Sequence, residues 1–297
     1  MTRKLLDLSE KVDKFTVELF EIIANVAGSM NAPFFVVGAT ARDIILEYGY
    51  GIEPIRATND IDLGVEVSGW DQYTKLREDL VATGKFEPTG EPQRLRYKGS
   101  VLIDIIPFGA IADPNGSFTW PPDHEVEMST LGFDESYQHA LTVRLRRKPD
   151  LDIKFANPAG LALMKLISWD DRHPERNRDA KDLGFLMRSY IDVGNEERLF
   201  EEEADIIEIL QESGSYDYVR ASARLLGRDI SAIAHPETKE SLLRILEKET
   251  SKGGPYRLVE DMRDGHSLAS SDFEENLVLL EELKAGVLEG PQITRKS

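Results

Sequence analysis

One aspartate inside an apolar run places the strongest constraint on how this chain folds. Asp104 lies in Val101-Leu102-Ile103-Asp104-Ile105-Ile106, a stretch of strand-forming residues that reads as buried on both faces. A carboxylate there needs a partner, because an unpaired buried charge is costly. Upstream, Asp60-Ile61-Asp62-Leu63-Gly64-Val65-Glu66-Val67 alternates with period two, the pattern of a half-buried strand. Residues two apart on a strand share a face, about 7 Å apart at Cα, so Asp60 and Asp62 project together. Two carboxylates that close repel each other unless a cation sits between them. A shared divalent metal would supply the partner, and three converging carboxylates, Asp60, Asp62 and Asp104, read as a two-metal clamp of the kind used for in-line displacement at phosphorus.

Around these acids the chain reads in two parts. Before Asn157-Pro158 the pattern is mixed. A helical periodicity over residues 4–27 meets Gly28 as its terminator, and Phe34-Phe35-Val36-Val37 is a short strand ended by Gly38. A helix follows from Thr40 to Tyr48, and another spans 70–82. Arg94-Leu95-Arg96-Tyr97 pairs with 101–106 through the turn Lys98-Gly99-Ser100, Trp120-Pro121-Pro122-Asp123 is a loop, and strands are expected at 140–146 and 151–155. After Pro158 the signals are helical: 159–169, 179–190, 197–212, 215–227, 237–249 and 272–287. The expected domains are 1–157, α/β, and 158–297, helical.

Composition narrows the function classes. The chain has 297 residues, of which 41% are hydrophobic, enough for a core in each part. Cysteine is absent, which excludes disulfides, thiolate metal sites and a cysteine nucleophile. No apolar run reaches the ~18 residues of a membrane span, and Met1-Thr2-Arg3-Lys4 leads into no signal segment. A cytoplasmic enzyme with no membrane partner is expected. The formal net charge of −18 speaks against bulk coating of nucleic acid. Its distribution is uneven: residues 141–190 carry 11 Lys+Arg against 7 Asp+Glu, and residues 191–297 carry 13 against 24. A basic middle suited to phosphates precedes an acidic tail.

Gly38 adds to the chemistry. A strand that ends in small residues and opens a helix lets backbone N–H groups approach a phosphate. An apolar strand, Gly38-Ala39, then Asp60-x-Asp62, then Asp104 resembles the polymerase-beta-type nucleotidyltransferase superfamily. Gly38-Ala39-Thr40-Ala41-Arg42-Asp43 is similar to the opening motif of tRNA nucleotidyltransferases and bacterial poly(A) polymerases. Two later segments, Leu163-Met164-Lys165-Leu166-Ile167-Ser168-Trp169-Asp170-Asp171-Arg172 and Arg178-Asp179-Ala180-Lys181-Asp182-Leu183, resemble the AbiEii group of nucleotidyltransferase-like toxins. The likeness covers roughly residues 33–190. Ala39 departs from the usual second Gly or Ser, which removes a serine hydroxyl from any phosphate contact.

The resemblance implies an α+β fold, with a nucleotidyltransferase-type mixed β-sheet flanked by helices and a C-terminal helical domain that closes over the nucleotide. It implies transfer of NMP from an NTP to an acceptor, with two Mg²⁺ ions. Asp60, Asp62 and Asp104 would bind the metals, and Asp104 would help deprotonate the acceptor hydroxyl. Gly38, Ala39, Thr40 and Arg42 would line the nucleotide, and Lys165 would reach its triphosphate. Asp179 or Asp182 would hold that lysine or the acceptor. From the residues alone, Lys165 sits in an apolar helical stretch and wants a buried anion. The AbiEii likeness implies an RNA or tRNA acceptor and an antitoxin protein as partner. An aminoglycoside-type cation would suit the acidic surface, and a non-catalytic nucleotide-binding module with the same fold is the alternative from another class.

Other charged groups carry two readings each. Arg144, Arg146, Arg147 and Lys148 alternate on a strand, either to track a nucleic-acid backbone or to guard a sheet edge. Arg172, Arg176, Arg178 and Lys181 interleave with Asp170, Asp171, Asp179 and Asp182, which reads as a solvated helix with i,i+4 pairs. Arg42 and Asp43 can pair locally. Glu201-Glu202-Glu203 reads as a solvated helix start, and Gly227 as the point where a neighbouring helix approaches. Asp150 and Asp152 read as a strand edge, and the five histidines fall at no metal-ligand spacing.

Overall fold

The computed structural model describes residues 5–54, 60–113, 115–263 and 270–291, so the opening Met1-Thr2-Arg3-Lys4 and His266 lie outside the described residues. Two compact units divide at Asn157 and Pro158. The first contains β1 (Leu5–Asp7), α1 (Lys14–Ser29), β2 (Phe34–Val37), α2 (Gly38–Asp43), a π-type turn (Ile44–Gly49), β3 (Asp60–Glu66) and α3 (Trp70–Ala82). It continues through β4 (Phe86–Pro88), β5 (Arg94–Tyr97), β6 (Val101–Phe108), β7 (Ser117–Thr119), β8 (Glu127–Ser129), α4 (Phe133–Gln138), β9 (Leu141–Arg147) and β10 (Asp150–Phe155). Eight strands form one mixed sheet in the order β1-β9-β10-β2-β3-β6-β5-β4, while β7 and β8 pair separately.

Period two assigns each residue a face of that sheet. Val36 pairs with Leu63, Leu63 with Ile105, Ile103 with Leu95, and Phe155 with Val36, so these apolar side chains share one face. Helices α1 and α3 cover it: Phe20 packs on Phe155, Phe15 on Tyr97, and the Tyr73 hydroxyl donates to the carbonyl of Ile105. The opposite face carries Phe35, Gly64 and Phe108 at one end, covered by Phe133 and Tyr137 of α4. Its other end carries acids. Asp62 stands opposite Asp104, and Asp104 opposite Arg94. The run around Asp104 is thus an alternation, with Ile103 and Ile105 on the helix-covered face and Asp104 on the other, and not a strand apolar on both sides.

The first helix begins at Lys14 and not near residue 4. Asp13 fixes that start by accepting from the backbone N–H groups of Phe15 and Thr16. Leu5 and Leu6 pair with β9 instead, an edge that local periodicity cannot foresee. β9 consequently lies between β1 and β10, so its arginines guard no sheet edge.

The second unit is helical: α5 (Pro158–Arg172), α6 (Asn177–Ser189), α7 (Glu196–Glu201), α8 (Asp205–Glu212), α9 (Tyr218–Ile233), α10 (Pro236–Thr250), α11 (Arg257–Asp261) and α12 (Ser270–Glu289). The helix expected over 197–212 breaks between α7 and α8. At that break Glu203 and Asp205 turn to Arg228, which is 1% exposed and also pairs with Glu289. Glu203 is therefore a buried ion-pair partner and not part of a solvated helix start. Helices α9 and α12 cross where both lack side chains. A Cβ on Gly227 would collide with the carbonyl oxygen of Leu283, and one on Gly286 with that of Arg224. Among the described residues, no helix is long and apolar enough to cross a membrane.

Candidate active site

The acidic end of the sheet is assembled by three strands and one tight entry into a helix. β2 delivers Val37 opposite Asp62, and the chain then enters α2 through Gly38 at φ +66°. That backbone conformation favours glycine. Space demands glycine as well, because a Cβ at this position would strike Oδ2 of Asp62. The Asp62 carboxylate thus lies against the backbone at the start of α2. Thr40 ties the same corner together, its hydroxyl donating to the carbonyl of Asp60 at 2.8 Å. Thr40 therefore holds the start of β3. Ala39 is buried, and Arg42 is 1% exposed with Nε donating to Asp43 at 2.7 Å. Arg42, expected at the nucleotide, is turned inward and braces α2.

Asp104 has a partner that sequence reading did not assign. Arg94 donates from Nε to Oδ1 at 2.7 Å and from Nη2 to Oδ2 at 2.8 Å, a two-pronged grip on a carboxylate only 7% exposed. Its remaining nitrogen, Nη1, reaches Glu91 at 3.2 Å. The Asp104 hydrogen bonds hold the Arg94 proton more firmly than in a free arginine, and the Asp104 and Asp60 charges add to this. The signal for this pair was present. A turn centred on Gly99, with Lys98 and Gly99 both at positive φ, pairs Tyr97 with Val101 and so brings Arg94 opposite Asp104.

Among the described residues, no group of three or more His, Asp or Glu side chains has an arrangement that could hold a metal ion. Asp60 and Asp62, two hard oxygen donors on one face of β3, suit a magnesium-like ion that takes one or two protein carboxylates and completes its shell with substrate phosphates. Asp104, gripped on both oxygens, is a less available ligand.

In the helical unit, Lys165 of α5 meets Asp179 at 2.6 Å and Asp182 at 2.8 Å. The two acids are three residues apart and so share one side of α6, and Asp182 is completely buried. Burial disfavours the Lys165 charge, but the two carboxylates outweigh it, and the lysine holds its proton more tightly than usual. On the same helix Trp169 donates from Nε1 to Asp261 at 2.9 Å, and His173 lies 3.2 Å from that carboxylate.

The remaining cations separate into occupied and unoccupied groups. Arg144 pairs with Asp150 and Asp152, Arg146 with Glu21, and Arg147 with Asp7, so these three arginines carry counter-charges and do not form an open phosphate track. Asp170 pairs with Arg244 and Lys248 of α10 and not with a neighbour on its own helix. Arg172 is different. Half-buried at the end of α5, its side chain has no ion-pair or hydrogen-bond partner among the described residues, and burial together with Arg176 weakens its hold on its proton.

The family model described as nucleotidyl transferase AbiEii toxin, type IV TA system, matches residues 23–256. The chain belongs to this AbiEii family. This AbiEii-family protein is accordingly a nucleotidyltransferase, with an α+β fold built on a mixed sheet. No curated protein matches it. Solved structures similar to the AbiEii-family chain include ANT(2″)-Ia in complex with adenylyl-2″-tobramycin, at 16% identity, 59% coverage of this chain and 90% of that one, with a TM-score of 0.37. The lincomycin-bound lincosamide antibiotic adenylyltransferase LnuA is 18% identical, covering 59% and 98%, with a TM-score of 0.35. The Thermotoga maritima CCA-adding enzyme complexed with tRNA is 14% identical, covering 95% and 83%, with a TM-score of 0.26.

Proposed function

We propose that this AbiEii-family protein transfers NMP from an NTP to a hydroxyl of an RNA acceptor such as a tRNA end, acts as the toxin of a toxin–antitoxin pair, and depends on a divalent metal. The observation that carries the reading is the placement of Asp62 opposite Asp104, with the Asp62 carboxylate held against the backbone where β2 enters α2 through Gly38. A divalent ion bound there would offset charge on the α-phosphate and on the departing pyrophosphate.

The chain's own residues then have distinct tasks. Asp60 and Asp62 hold the ion, and Thr40 fixes the carbonyl of Asp60. Gly38 leaves room for both the carboxylate and an approaching phosphate. Asp104 holds Arg94, a permanent positive charge, on the acidic face of the sheet. In the helical unit, Lys165, Asp179 and Asp182 form a buried clamp that positions α5 against α6.

RNA as the acceptor rests on the family, which is described as a type IV toxin. A second reading, nucleotidylation of a cationic small molecule such as an aminoglycoside, is favoured by the net charge of −18. One experiment separates them. Each α-labelled NTP is incubated with Mg²⁺, total RNA and a panel of aminoglycosides, with the double variant Asp60→Ala/Asp62→Ala as control. Label entering RNA in the wild type only supports the proposal, and label entering a drug supports the second reading. No transfer to either, with nucleotide still bound, would point to a binding module.

A further inference from the structure

We infer that the catalytic face takes a single divalent cation, and that the Arg94 guanidinium supplies the positive charge for which a second ion would otherwise be needed. The inference rests on the metal-dependent transfer proposed above and concerns how many ions that transfer uses.

The geometry is a row across three strands. Arg94 on β5, Asp104 on β6 and Asp62 on β3 are successive cross-strand neighbours on one face. Arg94 covers both oxygens of Asp104, at 2.7 and 2.8 Å. It is no mobile surface arm. Its carbonyl accepts from Thr89 at 3.1 Å and from Arg77 at 3.3 Å, and the Ile105 N–H donates to Gln93 at 2.8 Å. The Tyr73 hydroxyl bridges the carbonyls of Pro92 and Ile105, tying the approach to β5 to the strand that carries Asp104. The fork and its carboxylate are thus framed from both strands and from α3.

Two consequences bear on metal binding. Each Asp104 oxygen already accepts a charge-assisted hydrogen bond, and a second cation on that carboxylate would stand beside a guanidinium that cannot lose its proton. The charges also balance differently from a three-carboxylate site. The Asp104 charge is answered inside the protein by Arg94, which also reaches Glu91, so Asp104 does not call for a cation of its own. Arginine is suited to this task, because it is charged at every working pH and presents a planar fork that matches a carboxylate.

Ion counting tests the inference without reference to turnover. Mn²⁺ is titrated into the full chain in the presence of an α,β-methylene NTP analogue, with the chain in excess over nucleotide, and bound ions are counted from the loss of the free-Mn²⁺ EPR signal. One ion per bound nucleotide is expected for the wild type, and still one for Asp104→Asn. Arg94→Gln, which uncovers Asp104, is expected to bind two, and Arg94→Gln/Asp104→Asn to return to one. Two ions in the wild type, falling to one in Asp104→Asn, would overturn the inference and leave metal-dependent transfer standing. A count of one in a folded Arg94→Gln would also overturn it, because the guanidinium would not be what excludes the second ion. A wild type that binds no Mn²⁺ with the nucleotide would overturn the inference and the metal dependence together. If Arg94→Gln loses its cooperative thermal unfolding, the wild-type and Asp104→Asn counts decide alone.

Discussion

The backbone of Gly38 lies so close to Asp62 that a methyl group on it would strike Oδ2. The two residues are 24 positions apart in the chain yet act as one unit, because the turn into α2 and the carboxylate share the same space. Gly38→Ala is therefore expected to shift the carboxylate as well as strain a backbone at φ +66°. The left-handed conformation alone costs about 1–2 kcal/mol for a residue with a Cβ. A misplacement of ~1 Å at reacting groups can lower a rate about 100-fold. Urea unfolding and NMP transfer, measured on the same preparation, check both. A destabilised variant with an unchanged rate would show that the Asp62 position does not govern turnover.

Lys165→Met is expected to cost about 3–5 kcal/mol, since it strands two buried carboxylates without their cation. The pH dependence has a definite sign. Folding raises the lysine pKa above its ordinary value of 10.5, so the stabilisation is fully present below pH 10.5 and is lost as pH rises through the higher folded-state value. The gap in unfolding free energy between wild type and variant should stay level around neutrality and narrow in strong alkali. Denaturant melts across that range measure it. A gap that narrows at neutral pH would contradict the assignment.

Arg172 presents the opposite case, a half-buried cation with no ion-pair partner among the described residues. Arg172→Met should stabilise the fold, by about 0.5–1 kcal/mol as is common when function holds a strained group. Thermal and urea unfolding of the variant and the wild type measure the difference. A melting temperature that stays level or falls would contradict the reading of Arg172 as a strained, unpaired cation.

Gly227→Ala is expected to destabilise the helical unit by about 1–3 kcal/mol or more, as overpacking does. The added methyl meets the backbone of Leu283 and Gly286, which has no rotamer through which to yield. Ser at this position should be at least as costly. Thermal melts of the two variants, compared with Ala at the open position Gly28, separate collision from ordinary helix propensity.

Much of the fold could be read from local pattern, because period two and turn residues are written into short segments. β2, β3, β5 and β6 lie where alternation and the Lys98-Gly99-Ser100 turn put them. β1 escaped because Leu5 and Leu8 also fit a helical face, and only the distant β9 reveals what Leu5 and Leu6 pair with. At the site, the sequence made Asp104 conspicuous as an acid in need of a partner. It points to a metal because Arg94 becomes the partner only through the hairpin register, which the positive-φ turn at Lys98 and Gly99 sets. Two arginines of β9, Arg146 and Arg147, are hidden from local pattern for a related reason. Their counter-charges, Glu21 and Asp7, lie more than 120 residues away in the chain, whereas Arg144 finds Asp150 and Asp152 across its own hairpin.

The Arg94–Asp104 grip also bears on the order in which the sheet assembles. Arg94 and Asp104 are ten residues apart and close a hairpin, an event of about 1–10 μs in isolated hairpins. Asp62 and Asp104 are separated by 42 residues, so their strands meet only after a longer loop closes. When β3 docks beside β6, it therefore meets a carboxylate already neutralised by its own hairpin partner. Asp62 and Asp104 need never meet as bare like charges while the chain is folding.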